Sequence, residues 1–144
     1  MIYPLRDWRP YWSAIEPLLA KAVGRGLGRY SLTDVCEAID KQLMQLSVAV
    51  IDNEIVAVFV TEVINYPQAR ALRAVFTGGS RADEWMADFD VYLDAGARAV
   101  GANLVEMHGR LGWLRKLRPI CEPDEVTTIL SRPVRAEIAE RKRA

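Results

Sequence analysis

The chain has 144 residues, of which 51% are hydrophobic and 26% charged, the composition of a globular protein long enough to bury a core of its own. Nineteen basic and nineteen acidic side chains leave a formal net charge of zero, which excludes a global field that would gather nucleic acid or an anionic membrane. No apolar run approaches the roughly 20 residues that a membrane span needs. The opening Met1-Ile2-Tyr3-Pro4-Leu5-Arg6-Asp7 lacks the basic-then-apolar order of a signal peptide, so a cytoplasmic protein is expected.

The two cysteines, Cys36 and Cys121, are far apart and belong to no CxxC or CxxH pair, which argues against a zinc site or a disulfide framework. Basic residues gather at Arg110, Arg115, Lys116 and Arg118 and again at Arg132, Arg135, Arg141, Lys142 and Arg143. A solvated face explains such clusters first, and phosphate binding is the other reading.

In chain order, Trp8, Trp12, Ile15, Leu19 and Val23 recur every three or four residues and predict a helix from Trp8 to Val23, with Pro17 kinking or breaking it near Ser13 to Glu16. The glycines of Gly24-Arg25-Gly26-Leu27-Gly28 end that helix in a loop. They are no dinucleotide fingerprint, because a helix rather than a strand precedes them. Ser31 is a good N-cap with Asp34 as its capping-box partner, and Val35, Ile39 and Leu43, with Cys36, form the buried stripe of a second helix.

The period then changes. Leu46 to Ile51 and Ile55 to Val63 are β-branched runs around the turn Asp52-Asn53-Glu54, and Ala69 to Phe76 follows the turn Asn65-Tyr66-Pro67-Gln68. Thr77-Gly78-Gly79-Ser80 is expected to stop this third strand. Ser80 with Asp83 reads as the cap of a long helix whose buried face is Trp85, Phe89, Tyr92, Gly96 and Val100, ended by Gly101. Asn103 to Met107 reads as a strand, Leu111 to Leu117 as a short helix and Val126 to Leu130 as a last strand. A single domain over residues 1–131 with a charged tail at 132–144 is expected. The fold class is α/β: a mixed, mainly antiparallel sheet with helices on both faces, the helical crossover making the third and fourth strands parallel.

Several segments carry a further likeness. These are Trp8 to Trp12, the Gly-rich loop into Tyr30-Ser31-Leu32-Thr33-Asp34, Val60-Thr61-Glu62-Val63 ahead of Tyr66-Pro67, and Gly78-Gly79 with Glu84-Trp85. Glu106-Met107-His108-Gly109-Arg110-Leu111-Gly112-Trp113 completes the set. In order and spacing they resemble the GNAT N-acetyltransferases, and most of all the short GNAT-like proteins encoded by tailed phages and prophages. The resemblance spans about residue 8 to 130.

In enzymes of that family the strand matching Ala69 to Phe76 leads into a loop of pattern Q/R-x-x-G-x-G/A. Its N–H groups and the following helix start hold the pyrophosphate of acetyl-CoA. Here Phe76, Thr77, Gly78, Gly79, Ser80 and Arg81 stand in that place, with two glycines, a Ser and an Arg, but without the six-residue pattern and in a shorter loop. Gly78-Gly79 reads equally as a bulge that bends the strand.

Acetyl transfer needs a base for the amine, a donor for the thioester carbonyl and an acid for the thiolate. The resemblance offers Glu62 as base, the alternative being a strand-end Glu paired with an Arg such as Arg73. Glu106 and His108, at i and i+2 on the next strand, point to one face, and the resemblance implies that they line the same cleft opposite Glu62. His108, the only histidine, excludes a multi-histidine metal centre, and a hydrogen-bonded strand-end residue is its other reading.

The helix after that strand carries Trp113 where many of these enzymes place an acidic Tyr, and an indole cannot supply the proton. Trp113 is read as a core or interface anchor. The shortened loop and missing Tyr put first a non-catalytic structural or virion-associated protein, partnered by other phage structural proteins or by itself. An acetyl-CoA-dependent N-acetyltransferase and a CoA-binding regulatory module are the alternatives.

Overall fold

A computed structural model describes residues 1–26, 28–109, 111–119, 123, 126–127 and 129–134. Strand β1 (Ile2–Pro4) is followed by a 3-10 turn at Arg9–Tyr11, helix α1 (Trp12–Gly24) and helix α2 (Leu32–Asp40). Strands β2 (Gln45–Ile51), β3 (Glu54–Asn65) and β4 (Arg70–Gly79) form a meander. Helix α3 (Ala82–Ala99), strand β5 (Leu104–Met107) and helix α4 (Leu111–Leu117) complete the order. The sheet runs β1-β2-β3-β4-β5, antiparallel throughout except for the parallel pair β4–β5. That parallel pair is joined by the α3 crossover, as the sequence requires.

Each face of the sheet is covered by helices. On one, Ile15, Leu19 and Val23 of α1 and Val35 and Ile39 of α2 pack on Leu46, Val48, Val58, Val60 and Phe76. On the other, Trp85, Met86, Phe89, Leu93 and Ala97 of α3 pack on Ala57, Phe59, Leu72 and Ala74. Phe59 stacks on Phe89 (centroids 4.2 Å) and meets Trp85 edge-on (4.9 Å). Burying large rings that interlock in this way is the strongest apolar contribution a sheet–helix contact makes.

Several expectations are corrected. The first helix is preceded by a 3-10 turn and then runs unbroken across Pro17. The carbonyl that loses its ladder donor is that of Ser13, an exposed residue in the first turn where water can serve it. Helix α2 has its capping box, with Ser31 Oγ accepting from Asp34 N–H at 3.0 Å and Asp34 Oδ2 accepting from Ser31 N–H at 2.8 Å. However, it stops at Asp40, so Leu43 is exposed and Met44 takes the buried place. Gln42, at φ 60°, turns the chain between them.

The third strand does not stop at Phe76. Thr77, Gly78 and Gly79 pair with Phe59, Val58 and Ala57. The cap of α3 is therefore Arg81, in the left-handed region at φ 59°, and not Ser80. Ser80 is spent on the strand, its N–H donating to Val56 O (2.9 Å) and its carbonyl accepting from the Trp85 indole (2.8 Å).

On α3, Val100 falls outside the helix, and Tyr92 is half-buried with its hydroxyl on Ser47 Oγ at 2.8 Å. The last strand is not formed by the described residues of its range: Val126, Ile129 and Leu130 are 55%, 79% and 90% exposed, outside any strand. β-Branched composition makes a strand only where a face is packed. Strand β1, too short to show a period, was not expected. Cys121, Arg110 and the tail from residue 135 lie outside the described residues.

Candidate active site at the parting of two strands

The register between β3 and β4 shifts once. Val60 pairs with Phe76 and Thr61 with Ala74, so Val75 is an extra residue, a β-bulge in β4. Its consequence is visible in the packing: Leu72 and Ala74 face α3, whereas Val75 and Phe76 both turn to the α1 face. The bulge coincides with the end of β5. Ala74 pairs with Met107, Ala74 O accepts from His108 N–H (2.9 Å), and past that point β5 gives way to the turn into α4. Strand β4 runs on for five more residues without a partner on that side among the described residues.

Which backbone groups are left facing the opening follows from ladder alternation. Ser80 turns its N–H to β3, so Thr77 and Gly79, out of phase with it, turn their N–H and C=O groups away from β3, toward the side β5 has left. The Thr77 side chain adds a second unmet group, a buried Oγ1 without a hydrogen-bond partner among the described residues. At the end of this stretch the N–H groups of Arg81, Ala82 and Asp83 have no acceptor among the described residues. The left-handed Arg81 followed by helical Ala82 makes a concave anion nest of them.

The glycines are explained by packing. A Cβ on Gly78 would lie 2.9 Å from Leu18 O of α1. Gly79, at φ 147°, lies so close to β3 that a Cβ would stand 2.6 Å from the Ala57 Cβ and closer still to Val56 O. Phe76 is a core side chain, edge-on to Tyr30 at 5.6 Å. The Arg81 guanidinium folds back onto Glu84 in two hydrogen bonds and reaches Asp52 at 3.4 Å. Its pKa is raised, chiefly by the Glu84 hydrogen bond.

At the apex of the opening, on the α1 face, a row of ionisable side chains crosses three strands. Glu62, Arg73 and Glu106 are register neighbours on β3, β4 and β5. Arg73 Nη1 lies 3.6 Å from Glu62 Oε1, and Arg73 Nε donates to Glu106 Oε1 at 3.2 Å. The Tyr66 hydroxyl, on the β3–β4 turn, joins them. It accepts from Arg73 Nη2 (2.8 Å) and lies 2.9 and 3.0 Å from the two Glu106 oxygens.

Burial works against the Arg73 charge, but hydrogen bonds to Tyr66 and Glu106 outweigh it and hold its pKa up. His108 stands beside the row, its imidazole without a hydrogen bond among the described residues. Partial shielding from water, then the Arg73 charge, lower its pKa below 6.5 against the pull of Glu106 and Glu62. Its resting form at neutral pH is the free base.

The three candidate catalytic residues, Glu62, Glu106 and His108, are thus brought together. Arg73 is the partner the alternative reading of Glu62 requires. Tyr66 was missed, although its place four residues after Glu62 puts it on the same face of β3 extended. Trp113 lies 6.0 Å from Trp85, packed over Gly109, as a core anchor. A depression of about 410 Å³ near Leu5, Ile39 and Met44 lies at the opposite edge of the sheet, without such a row. Among the described residues no three His, Cys, Asp or Glu side chains stand close enough to hold a metal ion. No described helix is long and apolar enough to cross a membrane.

No family model matches the sequence, and no curated protein is significantly similar to it. Solved structures are similar in fold. A probable acetyltransferase is 12% identical, with 95% of this chain and 99% of that one covered at a TM-score of 0.69. A ribosomal-protein-alanine N-acetyltransferase from Brucella melitensis biovar Abortus 2308 is 15% identical, over 93% and 99%, at 0.67. An aminoglycoside acetyltransferase from an uncultured soil metagenomic sample, solved with sisomicin, is 12% identical, over 95% and 96%, at 0.65. The bulged β4, the parallel β4–β5 pair and the helices on both faces therefore make up a GNAT-like acetyltransferase fold.

Proposed function

We propose that this protein is an acyl-CoA-dependent N-acetyltransferase acting on an amine. One observation carries the reading: β4 and β5 part at a bulge, and the row of Glu62, Arg73 and Glu106, with His108 beside it, lies at the apex of the parting.

The residues along the opening fit the cofactor. Thr77 and Gly79 have ladder groups to spare for an amide-bearing arm, and the N–H groups of Arg81, Ala82 and Asp83 suit phosphate oxygens. Acetyl-CoA would supply an activated thioester carbonyl. This chain's own part is to bind the amine and relieve it of a proton. Glu62 and Glu106 against the single Arg73 leave the row with a surplus negative charge, which draws a protonated amine. His108, a free base at neutral pH, accepts the proton as the amine becomes a nucleophile.

A second reading, CoA binding without turnover, is favoured by a specific observation. Helix α4 offers Trp113, whose indole cannot supply the proton that the thiolate needs. None of the similar structures named above is described as a phage component, so a virion-associated role rests on the sequence resemblance alone.

Thermal unfolding with acetyl-CoA, CoA and ADP tests the binding, and thiol release in the presence of an amine panel tests the transfer. Ligand at 100 times Kd should stabilise the fold by about 2.7 kcal/mol. No shift at millimolar acetyl-CoA sinks the enzyme reading. A shift without thiol release moves the protein to the second reading.

A further inference from the structure

Within the apex row the two carboxylates are not equivalent. Both Glu106 oxygens are occupied, by Arg73 Nε and by the Tyr66 hydroxyl. Among the described residues Glu62 has one long contact, 3.6 Å from Arg73 Nη1, and no hydrogen bond. All three side chains of the row are shielded, with exposures of 17% for Glu62, 19% for Arg73 and 31% for Glu106, so an unoccupied acceptor in this place is not simply left to bulk water.

The cause of the inequality is Tyr66. Arg73 lies between two carboxylates in register and could pair with either. The edge of its guanidinium formed by Nε and Nη2 is held on the Glu106 side because Tyr66 accepts from Nη2 at 2.8 Å while bonding to Glu106. Without that hydroxyl, Nη2 loses its acceptor, and the Nη1–Nη2 edge is free to close on Glu62 in the two-pronged geometry that arginine favours with a carboxylate. A Glu62 so paired would have no oxygen left for a substrate.

We infer that Tyr66 is a positioning residue: with Glu106 it holds the Nε–Nη2 edge of Arg73, so that Glu62 keeps only the 3.6 Å ion pair with Nη1 and its oxygens stay open to bind the cationic group of the acceptor amine. This rests on the acetyltransferase reading for its substrate, but the clamp itself is a property of the free protein. The acceptor class follows. It is an amine protonated in solution, and a diamine is favoured over a monoamine of equal length, because one ammonium can stay on Glu62 while the other end is acetylated.

The test uses Tyr66→Phe, Glu62→Gln and the double variant. In acetyl transfer to 1,4-diaminobutane, each single change should raise KM by about ten-fold, the worth of one charge-assisted hydrogen bond, with a smaller effect on kcat. The double variant should be no worse than either single one, since both act through one carboxylate. Additive losses, or a fall in kcat at constant KM, overturn the assignment. The second readout needs no activity: the Arg73 Nε–H resonance in the NMR spectrum of the free protein should move in Tyr66→Phe and move back toward the parent position when Glu62→Gln is added. A resonance indifferent to Tyr66→Phe overturns the clamp. A resonance that behaves as expected in a protein without transferase activity overturns the acetyltransferase reading and leaves the clamp standing.

Discussion

Replacing Gly79 by alanine separates the two roles open to the glycines at the end of β4. The backbone there has φ 147°, a region that side chains rarely enter, and the added Cβ would lie 2.6 Å from the Ala57 Cβ and closer to Val56 O. Neither neighbour is the end of a flexible side chain. Val56 O also accepts the Ser80 N–H, so moving it costs a ladder bond. The backbone conformation costs about 1–3 kcal/mol and the overpacking about 1–3 kcal/mol more, together about 4 kcal/mol.

With an unfolding entropy of about 0.3 kcal/mol/K for a chain of this length, the Tm should fall by about 13 °C. Circular dichroism melts of Gly79→Ala and of Gly24→Ala, whose Cβ would meet nothing within 4 Å, make the comparison. The control should stay within about 1 kcal/mol of the parent. A Gly79→Ala protein that melts within about 3 °C of the parent but no longer responds to acetyl-CoA would refute the packing argument and give the glycine to the ligand.

Three further outcomes are expected. Thr77→Val removes a buried hydroxyl that has no partner among the described residues, and should raise stability by about 1 kcal/mol in denaturant melts while weakening acetyl-CoA binding if the hydroxyl serves the ligand. Glu84→Gln should release the Arg81 guanidinium and remove a carboxylate from the α3 start, tightening CoA binding several-fold by calorimetry, with a steeper dependence on salt. Transfer should fall in acid with a midpoint below 6.5, because His108 must lose its proton to act and its folded pKa is lowered, and His108→Gln should abolish that limb. The same shift carries a stability consequence. As pH falls from 6.5 to the lowered folded value, the unfolded chain takes up a proton that the folded chain resists, so His108 costs stability only on that acid side.

Local signals carried far along this chain. The capping box at Ser31 and Asp34, the α1 stripe of Ile15, Leu19 and Val23, the hairpin at Asp52-Asn53 and the bounds of α4 depend on residues a few positions apart, and short-range sterics and hydrogen bonds decide them. Glu106 was legible as a strand residue for the same reason, whereas His108, expected on that strand, stands just past its last residue, Met107. Strand ends were less so. Gly78 and Gly79 read as terminators because glycine is a poor strand former, yet here the lack of a Cβ is what lets β4 pass under α1 and against β3.

The bulge at Val75 left no local mark. It exists because Leu72 and Ala74 must face α3 while Phe76 faces α1, a conflict that only two packed faces create. The bridging of Glu62, Tyr66 and Glu106 by Arg73 is likewise a matter of register between strands, with 33 residues separating Arg73 from Glu106. Val126, Ile129 and Leu130 show the limit from the other side: their composition favours a strand, yet they are exposed and outside any strand, because strands are made by the surface they pack on. The sequence by itself therefore settled the order of elements and the residue types available for chemistry. Tertiary structure decided which of them meet, because a register shift of one residue changes every neighbour on a face while leaving the local sequence untouched.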